Sequence, residues 1–238
     1  ALESVGHKCL TLPTSNGKIT AKQVDTLIQE HYSDASSEHT VQPGIVYISF
    51  PTESGTLYSK QELTELYTVC QNHDIPLFID GARLGYGLVA KKNDVTFEDI
   101  ANLCDVCYIG GTKVGALFGE CIVILNDLYK KDFRYSIKQH GGMLAKGRML
   151  GIQFEELFKD NRYLTISKHA IDMADILTEG FQSKGYHFYF PAETNQLFPI
   201  FENAKLEELS KEFTFTPWVK IDETHTAVRF VTSFATKR

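Results

Sequence analysis

Residues 80–113 read DGARLGYGLVAKKNDVTFEDIANLCDVCYIGGTK, and the two ends of this stretch decide the fold. Just before it, Ile75-Pro76-Leu77-Phe78-Ile79 is an apolar run, too short for a helix and rich in strand formers. That is the pattern of a strand buried in a parallel sheet. Asp80 closes the run, and Gly81 follows. Open α/β sheets bind ligands outside the carboxyl ends of their strands, so a carboxylate at that mouth is placed for a ligand. A second apolar run, Val106 to Ile109, ends in Gly110-Gly111-Thr112-Lys113 and offers a lysine at the same rim. An acid and an amine about thirty residues apart thus each end a strand. A lysine amine can form a Schiff base with an aldehyde, and a partly desolvated carboxylate wants a cationic partner.

Working outward, the pattern is strand, helix, strand, helix, strand. Ile45 to Phe50 reads as another buried strand, closed by the turn cluster Pro51-Thr52-Glu53-Ser54-Gly55. Two capping boxes, Thr20-Ala-Lys-Gln23 and Ser59-Lys-Gln-Glu62, start helices whose core faces are Val24, Leu27 and Ile28, then Leu63, Leu66, Tyr67 and Cys70. A short strand is expected at Lys8 to Leu12, a loop over Ser33 to Pro43, and a short helix from near Thr96. This alternation predicts a mostly parallel sheet with crossover helices. After Lys113 only Val114 to Gly119 precede the next strand, Cys121 to Leu125. A parallel crossover needs about a dozen residues, so this pair is expected to be antiparallel. Gly141-Gly142 interrupts a basic stretch, and a long helical region follows from about Leu144 to Gln182. From Tyr186 the aromatic-rich segments HFYF, QLFPIF, FTFTPWVKI and AVRFVTSF, with a helix near Lys205 to Lys211, read as a small α+β domain. The expected division is a large domain over 1–142, connecting helices over 143–185 and a small domain over 186–238.

Composition narrows the function. The 238 residues carry a formal net charge of −6, which speaks against nucleic acid or an anionic membrane as the main partner. No apolar run approaches the ~20 residues of a membrane span, and no signal peptide opens the chain. Five cysteines without a disulfide-scaffold spacing fit reduced thiols in the cytoplasm.

The motifs FIDGARL and YIGGTKVGALFGE, with SFPTESGTLYSKQEL upstream and AVRFVTSFA downstream, resemble the threonine aldolase and aromatic β-eliminating lyase family of fold-type I enzymes that use pyridoxal 5′-phosphate (PLP). The resemblance runs through most of the chain. It implies that Lys113 is the Schiff-base lysine and that Asp80 keeps the cofactor's pyridine nitrogen protonated. It places Arg83 toward the ring oxygen and the substrate carboxylate, Thr112 against the cofactor, and Arg229 on the substrate α-carboxylate from the small domain. It implies no metal, a small amino acid as substrate, and a homodimer or homotetramer with sites at the subunit interface. The activity it implies is cleavage of a β-hydroxy amino acid to glycine and an aldehyde. β-Elimination from an aromatic amino acid is the alternative within the class, because the turn reads PTESG where typical threonine aldolases have an acidic–Asn–Thr sequence. A non-catalytic relative serving as an interaction module is the alternative outside it.

The family also has a glycine-rich phosphate cradle and a histidine stacked on the cofactor ring, and neither is found in this sequence. It begins about where relatives have just passed that histidine, and it stops after Ala235-Thr236-Lys237-Arg238, where they continue into a last helix. The expected consequences are an open rim near Asp80 and Lys113, apolar surface exposed beside it, and weak PLP binding by these residues alone. Three features are given the plainer reading. Cys104-Asp-Val-Cys107 lacks the second ligand pair of a metal site and enters a buried strand. His140 reads as a loop histidine, and Glu120 and Cys121 receive no role.

Overall fold

The computed structural model describes residues 2–238. Both capping boxes form as four-residue units, each with its side chain and backbone bonds reciprocated. They start α1 (Ala21–Ser33) and α2 (Lys60–Asn72), which bury Val24 and Ile28, and Leu63, Leu66 and Cys70. A third box, Thr96 with Asp99, starts α4 (Phe97–Asn102), after a short α3 (Leu84–Leu88) that the apolar periodicity does not announce. The strands β1 (Val46–Ser49), β2 (Leu77–Gly81), β3 (Val106–Gly110) and β4 (Glu120–Ile124) form one sheet in the order β1-β2-β3-β4. The first two pairings are parallel, and β3 with β4 is antiparallel, as the short connection requires. The register sets Ser49, Asp80 and Tyr108 side by side on neighbouring strands.

Contrary to the reading of β2 as a strand buried on both faces, its residues alternate. Leu77 and Ile79 are buried, while Phe78 and Asp80 are half-buried. The inner face of the sheet, with Val46, Ile48, Leu77, Ile79, Cys107 and Ile109, packs into the main core. Full burial of each such side chain contributes about 1.5–3 kcal/mol before entropy. The outer face carries Tyr47 and Ile122, exposed by 44% and 46%. The Tyr47 and Phe78 rings stack at 5.3 Å between centroids. An apolar parallel sheet with one accessible face is unusual, and Asp80 opens onto that face.

Lys8 to Leu12 forms no strand. Lys8 to Thr11 are exposed. A short α5 (Phe133–Gln139) comes first, and the long helical region expected from about Leu144 to Gln182 is divided into α6 (Arg148–Phe158) and α7 (Arg162–Ser183). The break between the last two lies at Asp160 and Asn161, with φ of 53° and 56°. Asp and Asn are the non-glycine residues that tolerate the left-handed region best. The reversal stacks Phe158 on Tyr163 at 5.2 Å.

The C-terminal part is an antiparallel sheet of β5 (Gln196–Leu197), β6 (Ile200–Glu202), β7 (Thr216–Lys220) and β8 (His225–Val231), with α8 (Asn203–Leu209) between β6 and β7. β8 pairs with the other three and is therefore central. The HFYF segment contributes only a bridge from Phe188 to Pro199. Among the described residues no helix is long and apolar enough to cross a membrane.

Candidate active site

Asp80 projects from the carboxyl end of β2. Its Oδ1 accepts from the Ala82 N–H at 2.9 Å, and its Oδ2 accepts from the Tyr47 hydroxyl. Burial, and then this bond to Asp80, push the Tyr47 phenol up from its ordinary range, so it stays protonated and remains a donor. An ionised carboxylate has about four lone-pair sites. Two described contacts leave Asp80 free to accept from a further cation.

Lys113 follows β3 on a short turn, Thr112–Val114. Its carbonyl accepts from the Tyr86 hydroxyl. Glu120 at the start of β4 braces the same turn. It accepts from the Gly111 N–H and, at 2.7 Å, from the Thr112 hydroxyl. The buried Tyr163 donates to the Gly110 carbonyl at 2.9 Å and accepts from the Gly85 N–H at 3.2 Å, tying this turn to α3. Gly110 is needed where the two turns meet. A Cβ there would run into the Ala82 backbone, so its absence lets the Asp80 and Lys113 turns lie against each other. Gly111 likewise faces Phe154 and Ala116, not open space.

Lys113 is an exposed residue overall, yet its amine lies close enough to the protein for burial to lower its pKa, with the Arg83 guanidinium as the second cause. The charges of Glu53, Asp80 and Glu120 act in the opposite sense. Among the described residues the amine has no hydrogen bond or ion pair. Arg83, whose side chain is only 11% exposed, donates from Nη1 to Glu53 Oε1 at 2.7 Å. Arg229 on β8 brings its Nη1 to 4.0 Å from Glu53 Oε2. The Arg229 guanidinium stacks over Trp218, 5.5 Å from the ring centroid, and its buried Nε has no partner. The small sheet is latched to the PTESG turn from Thr194, which donates to the Gly55 carbonyl at 2.9 Å, and from Gln196, which donates to the Glu53 carbonyl at 3.2 Å.

Asp80, Arg83 and Lys113 therefore meet at one rim, and Arg229 joins them through Glu53. Thr112 lies beside Lys113, with its hydroxyl proton committed to Glu120. His140 caps the end of α5 and is exposed, and Cys104 and Cys107 are buried. Tyr47, Glu53, Tyr86, Glu120 and Tyr163 were not singled out from the sequence as site residues. For Glu53 a signal existed, because its turn follows a strand neighbouring that of Asp80.

PLP fits these groups on three counts. The amine is unpaired and held toward its neutral, nucleophilic form. The carboxylate has acceptor capacity to spare on the accessible face of the sheet. Two guanidinium groups converge where a carboxylate already sits.

A family model described as Beta-eliminating lyase matches residues 2–204. Low specificity L-threonine aldolases from a Pseudomonas species and from Pseudomonas aeruginosa are 30% and 28% identical to the chain over 210 and 207 residues. Each of these alignments takes in 87% of this chain and 59% of the relative, so the chain spans about three fifths of the length of these curated relatives. The structure is also similar to the threonine aldolase of Leishmania major, with a TM-score of 0.94 and 43% identity over 99% of this chain and 68% of that one.

Proposed function

Since the chain belongs to the beta-eliminating lyase family, we propose that it is a PLP-dependent carbon–carbon lyase of the threonine aldolase kind, converting a β-hydroxy amino acid to glycine and an aldehyde. The observation that carries the reading is the Lys113 amine: unpaired, lowered in pKa, and offered beside Arg83 at the same rim as Asp80. When bound, PLP supplies an aldehyde for covalent capture of amines and a protonated ring that draws electrons from the substrate's Cα.

In this reading Lys113 Nζ is the group that holds the cofactor covalently, and once released it can carry a proton to or from substrate. Asp80 keeps the ring nitrogen protonated, oriented for that task by Ala82 N–H and the Tyr47 hydroxyl. Glu120 is a positioning residue: it fixes the turn that presents Lys113 and restrains Thr112, which contacts the cofactor. Arg83 and Arg229 grip the substrate α-carboxylate. A planar guanidinium suits a two-oxygen acceptor better than an ammonium does. Residues 1–142 supply the cofactor site and 186–238 supply Arg229, joined by helices in 143–185. The same reading makes the protein a cytoplasmic homodimer or homotetramer. The exposed Leu117, Leu128 and Tyr135, accessible by 87%, 74% and 77%, support an assembly. The direct test is release of aldehyde and glycine from L-threonine by the PLP-loaded protein.

Two consequences are measurable. Arg229→Ala is expected to raise KM for amino acids about 10- to 100-fold, the loss of a charge-assisted bond worth about 1.5–3 kcal/mol. PLP affinity should stay nearly unchanged. Comparable losses of both would put Arg229 at the cofactor instead. Arg83→Ala is expected to move PLP capture to higher pH. A neighbouring positive charge disfavours the ammonium form of Lys113, so removing it raises the amine's pKa, and only the neutral amine adds to an aldehyde. The loss of Arg83 also frees the Glu53 carboxylate, which acts in the same direction. The rate of PLP loading against pH reads this. A midpoint that stays put or falls contradicts the assigned cause.

A further inference from the structure

We propose that Glu53 occupies the seat of the substrate α-carboxylate in the free protein and screens incoming amino acids by charge, admitting neutral side chains and turning away acidic ones. The inference rests on the lyase reading above, in which Arg83 and Arg229 bind that carboxylate.

The geometry comes first. One carboxylate lies between two arginines, with a different oxygen toward each: Oε1 is 2.7 Å from Arg83 Nη1, and Oε2 is 4.0 Å from Arg229 Nη1. An amino acid's carboxylate has the same two-oxygen shape. The seat is only half used. Arg229 stands beyond hydrogen-bond distance of Glu53, and its buried Nε has no partner. A free carboxylate that settles closer to Arg229 gains bonds that Glu53 does not make. Displacement is also easy. The Glu53 side chain is 57% exposed, so its carboxylate can turn out to water, and Arg83, only 11% exposed, is paired again by the incoming carboxylate. Its backbone meanwhile stays fixed, through the Gln196 bond at 3.2 Å and the Gly55 N–H to Thr52 carbonyl bond at 3.0 Å. The carboxylate can therefore swing aside while the turn remains.

A displaced Glu53 does not leave. It remains tethered at the rim, where its charge already acts on Lys113 and on Tyr108. A neutral side chain entering the site meets no opposition from it. A second carboxylate, as in an aspartate-like ligand, is repelled by a like charge a few ångströms away.

The test compares PLP-loaded wild type, Glu53→Gln and Glu53→Asp by equilibrium titration with L-alanine and L-aspartate. Neither ligand carries the β-hydroxyl needed for cleavage, so the visible absorbance of the cofactor reads binding alone. The expected result is that the ratio of dissociation constants, aspartate over alanine, falls about tenfold in Glu53→Gln, the effect of removing one like charge at this range. Glu53→Asp, which keeps the charge, should hold the wild-type ratio within about threefold. A fall of less than about fivefold in Glu53→Gln, or an equal fall in both variants, overturns the inference and leaves the lyase reading intact. If wild type shows no response to either amino acid, the lyase reading fails and this inference fails with it.

Discussion

Lys113→Ala is expected to fold, to carry no covalently held PLP, and to turn over amino acids on the order of 10³- to 10⁶-fold more slowly, the scale on which loss of a covalent nucleophile acts. Folding should survive because the contacts that shape this turn do not use the side chain. Tyr86 bonds the Lys113 carbonyl, and Glu120 holds Gly111 and Thr112. The visible absorbance of PLP-loaded protein should disappear together with aldehyde release. Lys113→Arg separates nucleophilicity from charge. A guanidinium keeps the positive charge but is never neutral near pH 7, so it should be as inactive as alanine. Substantial turnover in either variant would remove Lys113 from the centre of the account.

Asp80→Asn is expected to lower kcat about 10²-fold or more, because a hydrogen-bonded charge pair loses one partner, a change worth about 2–5 kcal/mol. The substitution is conservative toward the fold. An amide oxygen can still accept from the Ala82 N–H at 2.9 Å. What it cannot do is balance a protonated ring nitrogen, and an unprotonated ring is a poor electron sink. Asp80→Glu keeps the charge and should lose less, although the longer side chain must find a new arrangement with Tyr47. Near-full activity in Asp80→Asn contradicts the assigned role.

Both of these residues were visible in the sequence for a local reason. Asp80 follows directly on a short apolar run, Lys113 follows another after Gly110-Gly111-Thr112, and the sheet topology carries the ends of such runs to one rim. The capping boxes at Thr20 and Ser59 were visible for the same reason, since a box closes within four residues. The antiparallel β4 followed from the length of its connection. What could not be read depends on contacts distant in sequence. Glu53 meets Arg83 and Arg229, 30 and 176 positions away, and no local pattern announces that pairing. Tyr47 reaches Asp80 diagonally across two strands. The space beside Gly110 is taken by the Ala82 backbone, 28 positions away, which no local pattern announces either. The break at Asp160 and Asn161 was missed because both residues are acceptable in a polar helical stretch. The left-handed turn accompanies the stacking of Phe158 on Tyr163, a contact that no helical periodicity announces. The alternation of burial along β2 escaped because Phe78 is apolar on a face that remains accessible.

The central claim is that Lys113 is the residue that takes up PLP at the rim it shares with Asp80. Reduction of the PLP-loaded protein with borohydride, followed by proteolysis and peptide mapping, tests it most directly. The account predicts a single pyridoxyl adduct on the peptide that contains Lys113. An adduct on any other lysine, with Lys113 unmodified, contradicts it.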